Sequence, residues 1–187
     1  MPEPLNGHDL PATLHTPRLL LRPHRLADAE DIFGFAADAQ WARFLPLPSP
    51  YERVHAEEFV ASCLLQDRAT SVTWAIEHDG RVVGGINARL NPTQHTAELG
   101  YSIARAHWGQ GFVTEAARAV LDACFTHLPT LVRVQALADT RNTASNRVMQ
   151  KIGMAHEGTM RQVRLIRGQH VDFDVYSVLR DEWGVKQ

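Results

Sequence analysis

Cysteine is scarce in this chain of 187 residues. The two present, Cys63 and Cys124, have no CxxC partner and no metal-type spacing, and both fall in apolar helical patterns, so buried free thiols are expected and not a disulfide framework. The ten histidines form no HxH or HxxxH pair, which leaves no metal site to expect. No apolar run approaches the ~18 residues of a membrane span. The first twenty residues lack the basic-then-apolar pattern of a secretory signal, so a cytoplasmic protein is expected. Neither sign of charge dominates: 19 basic against 21 acidic side chains leave −2, which argues against a generic nucleic-acid coat. With 44% apolar and 21% charged residues, the chain is neither a disordered polyelectrolyte nor collagen-like. Internal repeats, linkers and low-complexity tracts are also missing.

What remains is enough for one domain whose folding buries roughly 70% of the unfolded surface. The small net charge conceals a split. Residues 1–102 hold 8 Arg against 13 Asp and Glu, whereas residues 103–167 hold 8 Arg and Lys151 against Glu115, Asp122, Asp139 and Glu157. An anionic ligand in the second part and a cationic one beside the first would fit this split, as would a solvated surface.

Residues 1–15, rich in Pro and polar side chains, read as a flexible N-terminal arm, and 16–187 as the domain. Arg18–Arg22 reads as a strand and Ala27–Ala37 as a helix with acids in its first turn. Ser49-Pro50-Tyr51-Glu52 reads as a capping box opening a helix that carries Val54, Phe59, Cys63 and Leu64 to about Gln66. Strands follow at Thr70–Glu77 and Arg81–Leu90 around the hairpin signal Asp79-Gly80, then at Thr96–Ala104. Gly111–His127 reads as a helix, Leu131–Ala138 as a strand, and Asn142–Lys151 as a short helix stopped by Gly153. Val163–Ile166 and Val171–Leu179 flank a second hairpin turn, Arg167-Gly168. The order β-α-α-β-β-β-α-β-α-β-β makes one mixed α/β domain.

Chemistry concentrates in Trp108-Gly109-Gln110-Gly111-Phe112-Val113-Thr114-Glu115-Ala116, between a strand and a helix. Two glycines let the backbone approach a ligand closely, and the helix start offers unpaired N–H groups and the positive dipole end, a cradle suited to a pyrophosphate. A tight strand-to-helix turn would use the same residues. Neither the Walker A pattern nor GxGxxG is met, because no Gly-Lys-Ser/Thr occurs and Thr114 stands at the third glycine position.

The strand AELGYSIA, the loop-helix WGQGFVTEA and the segment NTASNRVMQKIGM, in that order from Ala97 to Met154, resemble the GNAT family of acyl-CoA-dependent N-acetyltransferases. The run from Glu157 to Trp183 is similar to the ending of the Rim-type branch, the ribosomal-protein N-alpha-acetyltransferases. With RLLLRP near the start, the resemblance extends from about Thr16 to Trp183. It implies an α/β (mixed α+β) fold, a single GNAT-like domain with a mostly antiparallel sheet of six to seven strands, splayed at the centre and flanked by about four helices. It implies acetyl-CoA as cosubstrate, no metal, and a primary amine as acceptor: a protein N-terminus, a polyamine, an aminoglycoside or another metabolite amine. A homodimer would suit the branch.

Carried over residue by residue, the resemblance assigns Ile103, Trp108, Gly109, Gln110, Gly111, Phe112, Val113, Thr114 and Asn142 to acetyl-CoA, with Asn142 along the pantetheine arm and a backbone amide near Ile103 stabilising the oxyanion. Arg147 and Arg105 are candidates for its phosphates. Glu98 matches the strand glutamate that takes the amine proton directly or through water, although a rim glutamate paired to an Arg is the alternative. Alternation puts Glu98, Gly100 and Ser102 on one face and Leu99, Tyr101 and Ile103 on the other. The chain departs from the pattern twice. Ala106 holds the usual Gln/Arg position of the glycine signature, and Met149 holds the position of a tyrosine that protonates the leaving thiolate. Ser145 matches a serine that Rim-type enzymes use instead, and a helix cap is its competing role. Tyr101, Trp74 and His107 read as packing residues, and Asp172 and Asp174 as acids that bind a basic acceptor or pair with Arg161 and Arg164. Met149 also motivates an alternative function, a non-catalytic acyl-CoA-binding regulator of the same fold.

Overall fold

The computed structural model describes residues 3–184. Its strands are β1 (Leu14–His15), β2 (Leu20–Arg22), β3 (Ser71–His78), β4 (Arg81–Asn91), β5 (Thr96–Ile103), β6 (Arg133–Asp139), β7 (Ala155–Ile166) and β8 (Gln169–Leu179). Four helices join them: α1 (Asp28–Ala36), α2 (Arg53–Leu65), α3 (Phe112–His127) and α4 (Thr143–Lys151). The strands form one sheet in the order β1-β2-β3-β4-β5-β6-β8-β7, antiparallel everywhere except between β5 and β6. The count is eight instead of six to seven, because β1 is only two residues long and carries no alternation signal. Both hairpin turns form where their sequences place them, with positive φ at Asp79, Gly80, Arg167 and Gly168.

Alternation along the central strands sorts side chains into two layers. Trp74, Ile76, Ile86 and Leu99 meet Phe112, Ala116 and Val120 of α3 and Met149 of α4 in the main core. Ala75 and Val82 on the opposite face meet Ala29, Ile32, Ala56 and Val60 of α1 and α2. The C-terminal carbonyls of α3 are closed by Arg180, whose guanidinium donates to the carbonyls of Phe125, Leu128 and Leu131.

Two expectations are corrected here. The N-terminal segment does not stand free. Leu5 and Leu10 are buried in the main core, the Gly7 N–H donates to the Ala69 carbonyl, and the Trp74 indole N–H donates to that of Pro11. Two leucines among prolines make too little pattern to reveal docking, yet each brings apolar area that folding removes from water. Residues 1–2 of that arm and 185–187 of the domain lie outside the described residues. The second correction concerns α2, which starts at Arg53 and not at Pro50: the Glu52 N–H donates to His55 Nδ1, so the cap lies three residues later than Ser49. It buries Ala56 and Val60, leaving Val54, Phe59 and Leu64 exposed, because close approach to α1 selects the small face.

At its centre the sheet opens. The parallel pairing of β5 with β6 covers only Thr96–Glu98 against Arg133–Gln135, and Leu99–Ile103 have no β6 partner. Close strand contact on the other side of β5 depends on Gly84, where an added Cβ would lie 2.3 Å from the Ser102 carbonyl oxygen and 3.0 Å from Ile103 Cα. Backbone cannot rotate away, so Gly84→Ala is expected to destabilise the fold by about 1–3 kcal/mol. Gly100→Ala meets only the end of the Asn87 side chain, at 2.5 Å, and is expected to cost under about 1 kcal/mol, since that side chain can turn aside. Urea denaturation of the two variants checks the contrast.

Candidate functional site

The glycine loop takes the shape its sequence requires. Gly109 and Gly111 have φ of 75° and 80°, and Gly111 caps α3 in the left-handed region. Among the described residues the backbone N–H groups of Gly109, Gln110, Gly111, Phe112, Val113 and Thr114 donate to no protein acceptor, while the Glu115 N–H returns to the Gly111 carbonyl and starts the helix ladder. Six neighbouring free donors at the positive end of a sixteen-residue helix make a surface that can receive an anion. Trp108 is half exposed and ties the loop to the sheet, its Nε1 donating to the Ile103 carbonyl at 3.0 Å.

The rest of the clamp comes from the N-terminal segment, which no motif or spacing links to this loop. The Arg18 guanidinium donates to the Gln110 carbonyl at 3.0 Å, pairs with Glu115 at 2.6 Å, and lies 4.6 Å from the Phe112 ring centre. Thr16 Oγ1 donates to the same carboxylate at 2.6 Å. Burial alone would raise the Glu115 carboxyl, but the bonds from Thr16 and Arg18 hold it below the ordinary carboxylate value. Arg18 therefore sets a cation beside the loop in a chain whose signature carries Ala106 where Gln or Arg is usual. Arg105 points elsewhere, paired with Asp38. Arg147 is exposed, with no ion pair among the described residues. His107, at the end of the short 3-10 turn before the loop, stacks on Phe112 and meets His78 edge-on as a packing residue.

Across the open seam stands the start of α4. Asn142 is its N-cap, with Oδ1 accepting the Ser145 N–H at 3.2 Å. Ser145 is thus not the cap, and its hydroxyl is engaged otherwise: Oγ lies 2.9 Å from the hydroxyl of Tyr101, which also reaches the Ser145 carbonyl at 3.2 Å. Burial pushes the Tyr101 phenol up to about 12, against the lowering effect of the Ser145 bond. Met149, one turn on, is wholly buried in the main core. Tyr101 is therefore more than a packing residue. Strand alternation had already turned it away from Glu98, toward the face on which α4 lies.

Glu98 faces the α1–α2 side at the last rung before the seam opens. Arg89 pairs with one carboxylate oxygen at 3.2 Å and Gln135 Nε2 donates to the other at 3.3 Å. The row continues from Arg133 to Gln135 at 3.4 Å and from Arg133 to Glu157 through two 2.5 Å bonds, with Ser177 donating to Glu157. Arg133, helped by Ser177, lowers the Glu157 carboxyl to about 2. Gln135, missed by sequence reasoning, is the link that fixes Glu98 from the side of β6.

The acids of the first half are not a free negative field. On α1, Glu30 pairs with Arg53 and Asp31 with Arg81, and just past its end Asp38 pairs with Arg105. Asp174 accepts from Thr159 and pairs with His156, and Asp172 accepts the Gln162 N–H, so neither forms the expected pair with Arg161 or Arg164. Burial raises the thiols of Cys63 and Cys124 to about 11 and 12. Among the described residues no group of three His, Cys, Asp or Glu side chains could hold a metal, and no helix is long and apolar enough to cross a membrane.

A sheet opened beside a glycine-rich helix start is the architecture of an acetyltransferase domain, and residues 18–155 match the family model for the acetyltransferase (GNAT) domain. The chain belongs to the GNAT family. It is 32% identical over 171 residues to the uncharacterized N-acetyltransferase YoaA of Bacillus subtilis (strain 168), covering 89% of this chain and 96% of that one. It is 26% identical over 119 residues to the ribosomal-protein-serine acetyltransferase of Escherichia coli (strain K12), covering 63% and 66%. A GNAT-family acetyltransferase structure from Bacillus anthracis superposes with a TM-score of 0.80 at 26% identity over 91% of this chain and 99% of that one.

Proposed function

We propose that the protein transfers the acetyl group of acetyl-CoA to a primary amine, by direct attack of the amine on the thioester. The observation that carries this reading is the row of six unpaired amides from Gly109 to Thr114 at the edge of an open strand pair, with a carboxylate on one face of β5 and a hydroxyl on the other. The amides and the α3 dipole receive the pyrophosphate, Trp108 and Phe112 flank it, and Asn142 keeps its side-chain amide N–H groups for the pantetheine arm. Glu98 takes the proton that the amine loses on attacking the carbonyl carbon, and Ser145 gives one to the departing sulfur. An amide near Ile103, on the part of β5 without a β6 partner, meets the oxyanion. Similarity to a ribosomal-protein-serine acetyltransferase supports a protein N-terminus as acceptor, and small cationic amines are the competing class.

A thiol-release assay with acetyl-CoA over peptides of different first residue, polyamines and aminoglycosides tests the proposal. Release that depends on one amine class is the expected result. CoA binding without release from any amine would instead describe an acyl-CoA-binding regulator. Arg18 supplies an internal check, since two of its five guanidinium N–H groups remain free after the bonds to Glu115 and Gln110. Arg18→Ala is expected to weaken CoA about tenfold in titration calorimetry, the loss of roughly one charge-assisted contact, and to leave phosphate-free pantetheine binding unchanged.

A further inference from the structure

Departure of a thiolate is helped by a nearby acid, and an isolated serine hydroxyl is a poor one. In this fold the serine is not isolated. Tyr101 Oη lies 2.9 Å from Ser145 Oγ, either hydroxyl can be the donor, and the pair bridges β5 and α4 where those elements face each other across the open seam. The tyrosine ring packs against the main core, so its hydroxyl has little freedom to turn elsewhere than to the oxygens of Ser145. Met149, one turn along the same helix, offers no proton and no access to solvent. We infer that Tyr101 is the proton donor behind Ser145, a positioning residue that aims the serine hydroxyl and replaces its proton as the thioester is cleaved.

This inference rests on the acetyl-transfer reading. The amine nitrogen bonds to the carbonyl carbon, the C–S bond breaks, and its electron pair stays on sulfur. Sulfur takes the proton of Ser145 Oγ, and Oγ takes that of Tyr101 Oη. Glu98 holds the proton lost by nitrogen, and exchange through water returns the phenolate and the carboxyl to their starting states. A phenol raised by burial keeps its proton at neutral pH, so the donor form is the resting one.

The test compares Tyr101→Phe, Ser145→Ala and the double variant, using acetyl-CoA and the best amine of the panel. Tyr101→Phe is expected to lower kcat by about 10- to 100-fold, at or below the low end of general acid catalysis, with the Kd for CoA within twofold of the parent. The double variant is expected to be no slower than Ser145→Ala, because the two hydroxyls act as one path. Independent, multiplying losses would overturn the inference, as would an unchanged kcat in Tyr101→Phe. Fluorinated tyrosine at position 101 provides a variant of native shape: a more acidic phenol is expected to move the alkaline limb of the kcat profile to lower pH, and an unmoved limb counts against the relay. Should the unaltered protein bind CoA but release none with any amine, the acetyl-transfer reading itself fails, a result distinct from an insensitive Tyr101.

Discussion

Glu98→Gln is expected to lower kcat for amine acetylation by ~10²–10⁴-fold, the range of a lost general base. Substituting an amide also disturbs the bonds from Arg89 and Gln135, so the structural contribution must be judged separately. Arg89 is more than half exposed, and such pairs contribute ~0–1 kcal/mol. The Gln135 contact is long, at 3.3 Å. Melting temperature and CoA affinity should therefore barely move while turnover collapses. If turnover survives with CoA binding intact, Glu98 is the rim glutamate of an ion pair and the amine loses its proton elsewhere.

The second large effect concerns stability. Arg22, at the end of β2, lies buried with its guanidinium forked onto Asp28 through two 2.9 Å bonds and its Nε 2.6 Å from Glu77. Arg22→Met would leave one buried and one partly buried carboxylate without their cation, and breaking such a group costs about 3–5 kcal/mol. Set against typical domain stabilities of about 5–15 kcal/mol, that is a large share. Burial raises the Asp28 carboxyl, but the Arg22 bonds and the Arg25 N–H outweigh it and hold the value below normal. A carboxyl lowered in the folded state stabilises above its unfolded value and loses that contribution as pH falls through the folded one. In Arg22→Met the raising effect of burial is opposed only by the Arg25 N–H and the more distant His24, so protonation relieves the variant. Urea denaturation should show a wide gap between the two proteins at neutral pH that narrows as pH falls, from the variant's raised carboxyl value down through the parent's lowered one, on either side of about pH 4. A gap independent of pH would mean that lost packing of the Arg22 stem, and not its charge, sets the cost.

The parts of the fold that sequence reveals are those governed by local rules. Asp79-Gly80 and Arg167-Gly168 announce their hairpins because only certain residues tolerate positive φ. Helix α3 and the loop before it follow from glycine placement and apolar spacing. Side chains whose role depends on distant partners stay hidden. Ser145 near a helix start has two readings, and only the placement of Asn142 as cap and Tyr101 as hydroxyl neighbour separates them. Arg18 and Thr16 lie 97 and 99 positions from Glu115, beyond any periodicity. The charge split, legible as counts, does not survive as a field on α1, since each acid there acquires an arginine once the chain folds.

The same long separations govern the order in which the molecule can be completed. The N-terminal segment closes three distant places: Ala69 after α2, Thr130 after α3 through the Glu3 carbonyl, and Glu115 beside the glycine loop. During synthesis Leu10 waits 58 positions for Arg68, and Glu3 waits 127 for Thr130. Contacts so far apart in the chain carry a large loop-closure entropy and slow folding. Leu5 and Leu10 therefore stay exposed during synthesis until the strands and helix they pack on exist. The clasp that completes the cradle is made well before the loop it closes and is among the last elements to dock.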